Sequence, residues 1–314
     1  MTYLELQTER RKSERLSALQ KHRLTFAFLW TVSVLVAWRP LVDTFALAWR
    51  NDDYTHILLI LPVSILLVFL ERRSLGSRIA FDFRISPALL IAAAGIAAGA
   101  RFGASSLPAD VQLTIEMLAL VLSWIGISVL CLGSRAARAV LFPLLFLIGL
   151  VPLPQVALDG IIMLLQWGSA WSAHALFALC AIPVAQAGVT LRIPDLTIQI
   201  AQDCSSIRSS SMLLVTTMVL AQVLLRSPWR KSLVIALAIP LSVAKNGLRI
   251  FTIAMLGTRV DPAYLNGRFH RQGGILFFIV ALMAIFAALL ICQRGENGSH
   301  AADLNLTESS VPGD

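Results

Sequence analysis

A thiol, a guanidinium and an imidazole stand in or beside three apolar segments of this chain: Cys204, Arg249 and His270. Cys204 lies in Ala201-Gln202-Asp203-Cys204-Ser205-Ser206-Ile207-Arg208, at the mouth of one apolar run. Arg249 closes Asn246-Gly247-Leu248-Arg249 inside the next, and His270 starts the last. These are the side chains that thiol-based acyl transfer needs: a nucleophile, a group that steadies negative charge, and a proton carrier. Each also has a plainer use. A membrane cysteine packs as a small hydrophobe, an arginine near a helix end snorkels to headgroups, and a histidine at a span edge is simply solvated. An arginine inside an apolar segment is costly and marks a polar site or pathway, while Asp203, Ser205, Ser206 and Arg208 give Cys204 a polar setting. Lys245 is about 400° around the helix from Arg249, near a neighbouring stripe, and is expected to snorkel. His174 and His56 read as structural on residue type alone.

Those segments must be membrane spans. Of 314 residues, 57% are hydrophobic and 14% charged, against roughly 25% charged in a soluble domain, and mean hydropathy is +0.76. Unbroken apolar runs recur along most of the chain, which means a polytopic helical membrane protein in contact with membrane lipid. The net charge of +8 comes from basic residues in short loops between these runs. That is the pattern of cytoplasmic loops, so no nucleic-acid partner is expected. The four cysteines, at 131, 180, 204 and 292, show no metal-ligand spacing, and Cys131, Cys180 and Cys292 are expected to be inert packing residues. With no HExxH, GxSxG or phosphate-binding glycine loop, neither a metal nor an organic cofactor is expected.

The organisation read from the sequence is a basic cytoplasmic tail over 1–23, a membrane domain over 24–292, and a disordered cytoplasmic tail over 293–314. Candidate spans are 24–38, 57–70, 85–100, 111–132, 138–151, 205–225, 232–256 and 272–292. The positive-inside rule places residues 1–23, Arg72 to Arg84, Arg135 with Arg138, and Arg226 to Lys231 inside. Five spans then bring the chain outside at Pro152-Leu153-Pro154. Keeping Arg226 inside after one more span requires that 157–182 does not cross. With Gln166, Ser169, Ser172, Trp167 and Trp171, it reads as an interfacial or re-entrant helix on the outer face. Alternation of Val189, Leu191 and Ile193, then Leu196, Ile198 and Ile200, across Pro194-Asp195 predicts a two-strand hairpin just before Cys204. The fold class expected is all-α and polytopic: about eight transmembrane helices, an outer interfacial helix and a small β-hairpin. This topology brings Cys204, Arg249 and His270 into one outer layer.

Several segments together resemble the exosortase/archaeosortase family of polytopic cysteine transpeptidases. They are Asp53-Tyr54-Thr55-His56, Phe142-Pro143-Leu144-Leu145-Phe146 with Pro152-Leu153-Pro154, the hairpin leading to Cys204-Ser205-Ser206-Ile207-Arg208-Ser209, Asn246-Gly247-Leu248-Arg249, and His270 with Gly273-Gly274. The resemblance runs in order from about residue 50 to about 290. It departs from the family where Ser206 and Ile57 stand in place of the usual glycines. It implies that Cys204 is the nucleophile with Arg249 and His270 as partners, and that Tyr54, His56, Asn246 and Arg208 contact substrate. The implied substrates are secreted proteins with a C-terminal sorting signal: a short motif such as Pro-Glu-Pro, one span and a basic end. Arg259, Arg268 and Arg271 sit in an outer loop that the positive-inside rule disfavours, so Arg268 and Arg271 are candidates to pair with the acidic residue of that motif. The implied location is the bacterial inner membrane with an outward-facing site. A non-catalytic exopolysaccharide export or assembly component is the main alternative, and it would spread polar residues along a translocation path.

Overall fold

The computed structural model describes residues 3–71, 84–103, 106–194, 196–200, 207–266 and 274–309, which are mostly helical with one small sheet. The architecture is all-α and polytopic. Among the described residues six helices are long and apolar enough to cross a membrane, and a bent pair near the N-terminus makes a seventh if it is one span. The chain divides into two compact units, Met1–Ala157 and Leu158–Asp314.

In the first unit, α1 (Tyr3–Val36) meets α2 (Trp38–Arg50) at a bend of 70°. Pro40 accounts for it: the ring has no N–H and clashes with the carbonyl four residues back, that of Val36. The Val36 carbonyl instead accepts a hydrogen bond from the Arg101 guanidinium at 3.2 Å. After a 3-10 turn at Asp52–Tyr54 come α3 (Ile57–Glu71), α4 (Ser86–Phe102) and α5 (Ala109–Leu132). Both α1 and α4 pack on α5. Trp30 stacks on Trp124 at 5.5 Å, and Trp124 Nε1 donates to Ser33 Oγ at 2.9 Å. On the other side Gly126 lets α4 approach so closely that an added Cβ would meet Leu90 at 3.0 Å.

Residues 138–151, expected as one span, are α6 (Ser134–Ala139), α7 (Leu141–Phe146) and a 3-10 turn at Leu147–Leu150. Pro143 faces the Ala139 carbonyl across the break, the same steric conflict as at Pro40. The Pro152-Leu153-Pro154 stretch that follows has two prolines without N–H groups, so side chains hold it. Tyr54 Oη donates to Leu153 O at 2.8 Å, Thr114 Oγ1 to Pro152 O at 2.9 Å, and Asp110 accepts from Gln155 N at 2.8 Å.

The second unit holds most of α8 (Gln155–Leu179), a sheet, α9 (Ile207–Leu224), α10 (Pro228–Arg259), the short α11 (Ala263–Asn266) and α12 (Gly274–Ser309). Most of the segment 157–182, expected to lie on the outer face, instead falls in one unbroken helix, Gln155–Leu179, long and apolar enough to cross. It runs parallel to α10. Gly168 faces Val243, Ser169 faces Asn246, Ser172 faces Gly247, and Phe177 meets Phe251 edge-on at 5.0 Å, so both numbers rise together. Its serines point at α10, while Trp167 and Trp171 are exposed. Once α8 counts as a crossing, the loop charges no longer determine the side of Cys204. Within the second unit, however, the far ends of α8 and α10 and the start of α9 share one face.

The sheet has three antiparallel strands, one more than expected: β1 (Ala185–Ala187), β2 (Thr190–Ile193) and β3 (Leu196–Gln199). Ile193 pairs with Leu196, so β2 and β3 pair in the register that alternation predicts. The first turn needs Gly188, whose φ is +61°. Leu191 and Ile200 bury against Ala170, Ala173 and Phe177 of α8 and Ile250 and Ala254 of α10. A second core joins α9, α10 and α12 through Leu213, Ala221, Val234, Ala238, Ile285 and Leu289. Near its far end α12 fastens the α9–α10 turn: Glu296 accepts from Arg226 N at 3.0 Å and Ser227 N at 2.9 Å. The helix continues to Ser309.

A polar layer beside the start of α9

Three helices of the second unit turn polar side chains toward one another at one level. On α10, Ser242, Lys245, Asn246 and Arg249 fall on successive turns; Ser242, Lys245 and Asn246 are buried and Arg249 is half-buried. Asn246 Nδ2 donates to Ser169 Oγ of α8 at 2.9 Å. The Lys245 ammonium donates to Ser209 Oγ of α9, and Ser242 Oγ donates to Ser210 Oγ. Gln166 of α8 donates to Ile200 O at 3.0 Å, holding the end of the sheet. Polar groups away from water must find partners within the protein, so this layer fixes the rotation and height of all three helices.

Small residues let the helices come close enough for these bonds. A Cβ at Gly247 would lie 2.5 Å from Ser172 Cβ and 2.9 Å from Ala173 N, so Gly247 is where α8 and α10 touch. The α9–α10 register is antiparallel, with Ser209 opposite Lys245 and Ser210 opposite Ser242. Continuing it by one turn takes α10 to Arg249 and α9 to its first residues. Arg249 therefore stands at the level where the chain enters α9, three residues after Cys204.

Cys204, His270, Arg268 and Arg271 lie outside the described residues. Asn246 is 1% exposed and donates to Ser169 Oγ, bracing α10 against α8. Arg208 is exposed on the first turn of α9. Tyr54 and His56 belong to the first unit; the Tyr54 ring is 4% exposed and its hydroxyl serves the Leu153 carbonyl, an internal tie. The expectation that Lys245 snorkels is overturned, because it is 6% exposed and its ammonium is held at Ser209. The signal was present: a turn of about 400° is a net offset of only about 40°, which puts Lys245 on the Arg249 side of the helix. Cys131 is buried as expected, whereas Cys180 is exposed just past α8. Among the described residues no three His, Cys, Asp or Glu side chains are grouped as metal ligands would be.

A family model described as transmembrane exosortase matches residues 48–287. The match covers both the Tyr54 region and the whole polar layer. No curated protein matches the chain at a significant level, nor does any solved structure.

Proposed function

Because the chain belongs to the transmembrane exosortase family, we propose that it is a membrane-embedded cysteine transpeptidase or protease that cuts C-terminal sorting signals of secreted proteins. The observation that supports this reading best is the position of Arg249. A half-buried guanidinium inside an apolar helix, level with the start of α9 and braced from below by Lys245–Ser209 and Asn246–Ser169, is an expensive arrangement in a membrane. It has a clear use if charge develops beside it. Ser242, Lys245, Asn246 and Arg249 also lie within about two turns of α10, a compact polar group that favours chemistry over a translocation path.

In the proposed reaction the Cys204 thiolate attacks the scissile carbonyl, forming an S–C bond and placing negative charge on the carbonyl oxygen. Arg249 stabilises that oxyanion. Protonated His270 gives its proton to the departing amine as the C–N bond breaks, leaving a thioester. An incoming amine or water then attacks the thioester and releases the thiol. Both a thioester and an outward-facing site are open to direct test. A tagged membrane protein carrying a sorting signal should form a hydroxylamine-labile adduct with the enzyme at Cys204. Processing that proceeds with no such adduct, even after rapid acid quench, would count against the thioester. For orientation, Arg230 and Lys231 lie on the first turn of α10 and Arg249 near its other end, and the proposed reading puts the Arg230 end on the cytoplasmic side. Impermeant maleimide should therefore label Pro262→Cys in intact cells, but Ser227→Cys only after lysis; the reverse pattern would put the site inside.

Arg249→Lys should be far from conservative. Lysine retains the charge but loses the planar fork that can hold an oxyanion and a neighbouring acceptor together. The loss expected is about a hundredfold or more in processing, the scale of removing an oxyanion donor, with Arg249→Ala no worse. Near-normal processing by the lysine variant, measured by the ratio of cut to uncut substrate, would leave Arg249 only a bulk electrostatic role.

A further inference from the structure

The first unit contains a crevice of about 250 Å³ between α1 and α4, floored by α5. Its walls are apolar along most of their length: Leu29 and Val32 on α1, Ala93 and Ala97 on α4, Leu120 on α5. The alanines of α4 keep it open. Along α4 it runs from Leu90 to Arg101, about 16 Å at 1.5 Å per residue. A helix, about 10 Å across, would need several times that volume over the same length. A single hydrocarbon chain fits.

One end of the crevice is charged with both signs. Arg101 and Glu116 both line it, and among the described residues no ion pair joins them. The Arg101 guanidinium uses one donor on the Val36 carbonyl at the α1–α2 bend, which leaves further donors in its fork. The Glu116 carboxylate accepts from Gln112 Nε2 at 3.0 Å and has further acceptor capacity. A carboxylate lining a largely apolar crevice, two turns into a helix long and apolar enough to cross a membrane, is costly and favours a cationic partner beyond the Gln112 amide. A ligand that suits the whole crevice has an apolar tail and a head with an anionic and a cationic group.

We propose that this crevice is a binding site for an aminophospholipid, with one acyl chain along α4, the phosphate at Arg101 and the primary ammonium at Glu116. The site is independent of the chemistry proposed for the second unit. It would tie α1, α4 and α5 together where α1 is bent.

The test uses the full chain, delipidated in mild detergent and titrated with phosphatidylethanolamine, phosphatidylcholine or phosphatidylglycerol, with bound lipid counted by native mass spectrometry. Phosphatidylethanolamine should bind about tenfold more tightly than either of the others, because phosphatidylcholine has no ammonium N–H and phosphatidylglycerol no cation; a charge-assisted hydrogen bond is worth about that factor. Glu116→Gln should remove the preference while binding of phosphatidylcholine stays the same. Arg101→Gln should weaken all three, and Ala97→Phe, which fills the crevice, should remove the tight class. Equal binding of the three lipids by the unaltered protein would overturn the proposal, as would a preference that survives Glu116→Gln. The comparison of lipids on the unaltered chain decides the matter even if a variant fails to fold.

Discussion

Cys204→Ala should abolish processing of a sorting-signal substrate while the protein inserts and accumulates normally. A nucleophile cannot be replaced by its neighbours' charge: without the thiolate no thioester forms, and direct attack by water would lack most of the catalytic advantage. The two serines that follow it, Ser205 and Ser206, are far weaker nucleophiles at neutral pH. The informative companion is the triple variant Cys131→Ala, Cys180→Ala, Cys292→Ala. Cys180 is exposed and Cys292 half-buried, so neither change should cost much. Cys131→Ala removes one buried sulfur, a loss of about 1 kcal/mol at most for so small a cavity. Processing by the triple variant should remain within about twofold of normal, read as the fraction of tagged substrate cut in a fixed time, since the site retains its only thiol. A triple variant that inserts and is inactive would show that the nucleophile is not Cys204.

Gly247→Ala should be the most damaging single methyl group in the second unit. The added carbon would lie 2.5 Å from Ser172 Cβ and 2.9 Å from the backbone nitrogen of Ala173. The second contact involves main chain, so a rotamer change cannot relieve it. The two helices must move apart, and the Asn246–Ser169 bond one residue away stretches with them. Overpacking of this kind costs about 1–3 kcal/mol, and losing a buried hydrogen bond adds about 1 kcal/mol. The melting temperature in detergent should fall by about 5–15 °C. Processing should fall too, because Arg249 is carried on the same helix half a turn away. Adding Ser172→Gly should recover part of the loss, since it clears the side-chain contact and leaves the backbone one. A melting temperature within a degree of normal for Gly247→Ala would mean that α8 and α10 do not touch there.

The membrane class, the runs that become α3, α5, α9, α10 and α12, and the β2–β3 hairpin were legible because each depends on a local pattern: apolar length for a span, alternation for a strand. β1 was not. Ala185-Gln186-Ala187 has neither branched nor aromatic residues, and it is a strand only because Gly188 turns it back onto β2. The two prolines were visible, but the break at Ala139 depends on whether a run is helical on both sides, which a list of apolar residues does not reveal.

The polarity of α8 and of Lys245 shows most clearly where reading the chain stops. Gln166, Ser169 and Ser172 look like residues that want water, and a lysine in a span looks like one that reaches for it. In the folded protein all four serve neighbouring protein: Gln166 the Ile200 carbonyl, Ser169 the Asn246 amide, Ser172 the contact at Gly247, and Lys245 the Ser209 hydroxyl. By itself the sequence determined that this is a polytopic membrane protein with an Asn-x-x-Arg segment in one span and a cysteine just before another. Only the tertiary structure decided that α8 stands parallel to α10, that Lys245 is interior, and that Arg249 is level with the start of α9. The physical reason is that a polar side chain specifies a need for a hydrogen-bond partner and not its source. Water and a facing helix satisfy that need equally in sequence, and only the packing distinguishes them.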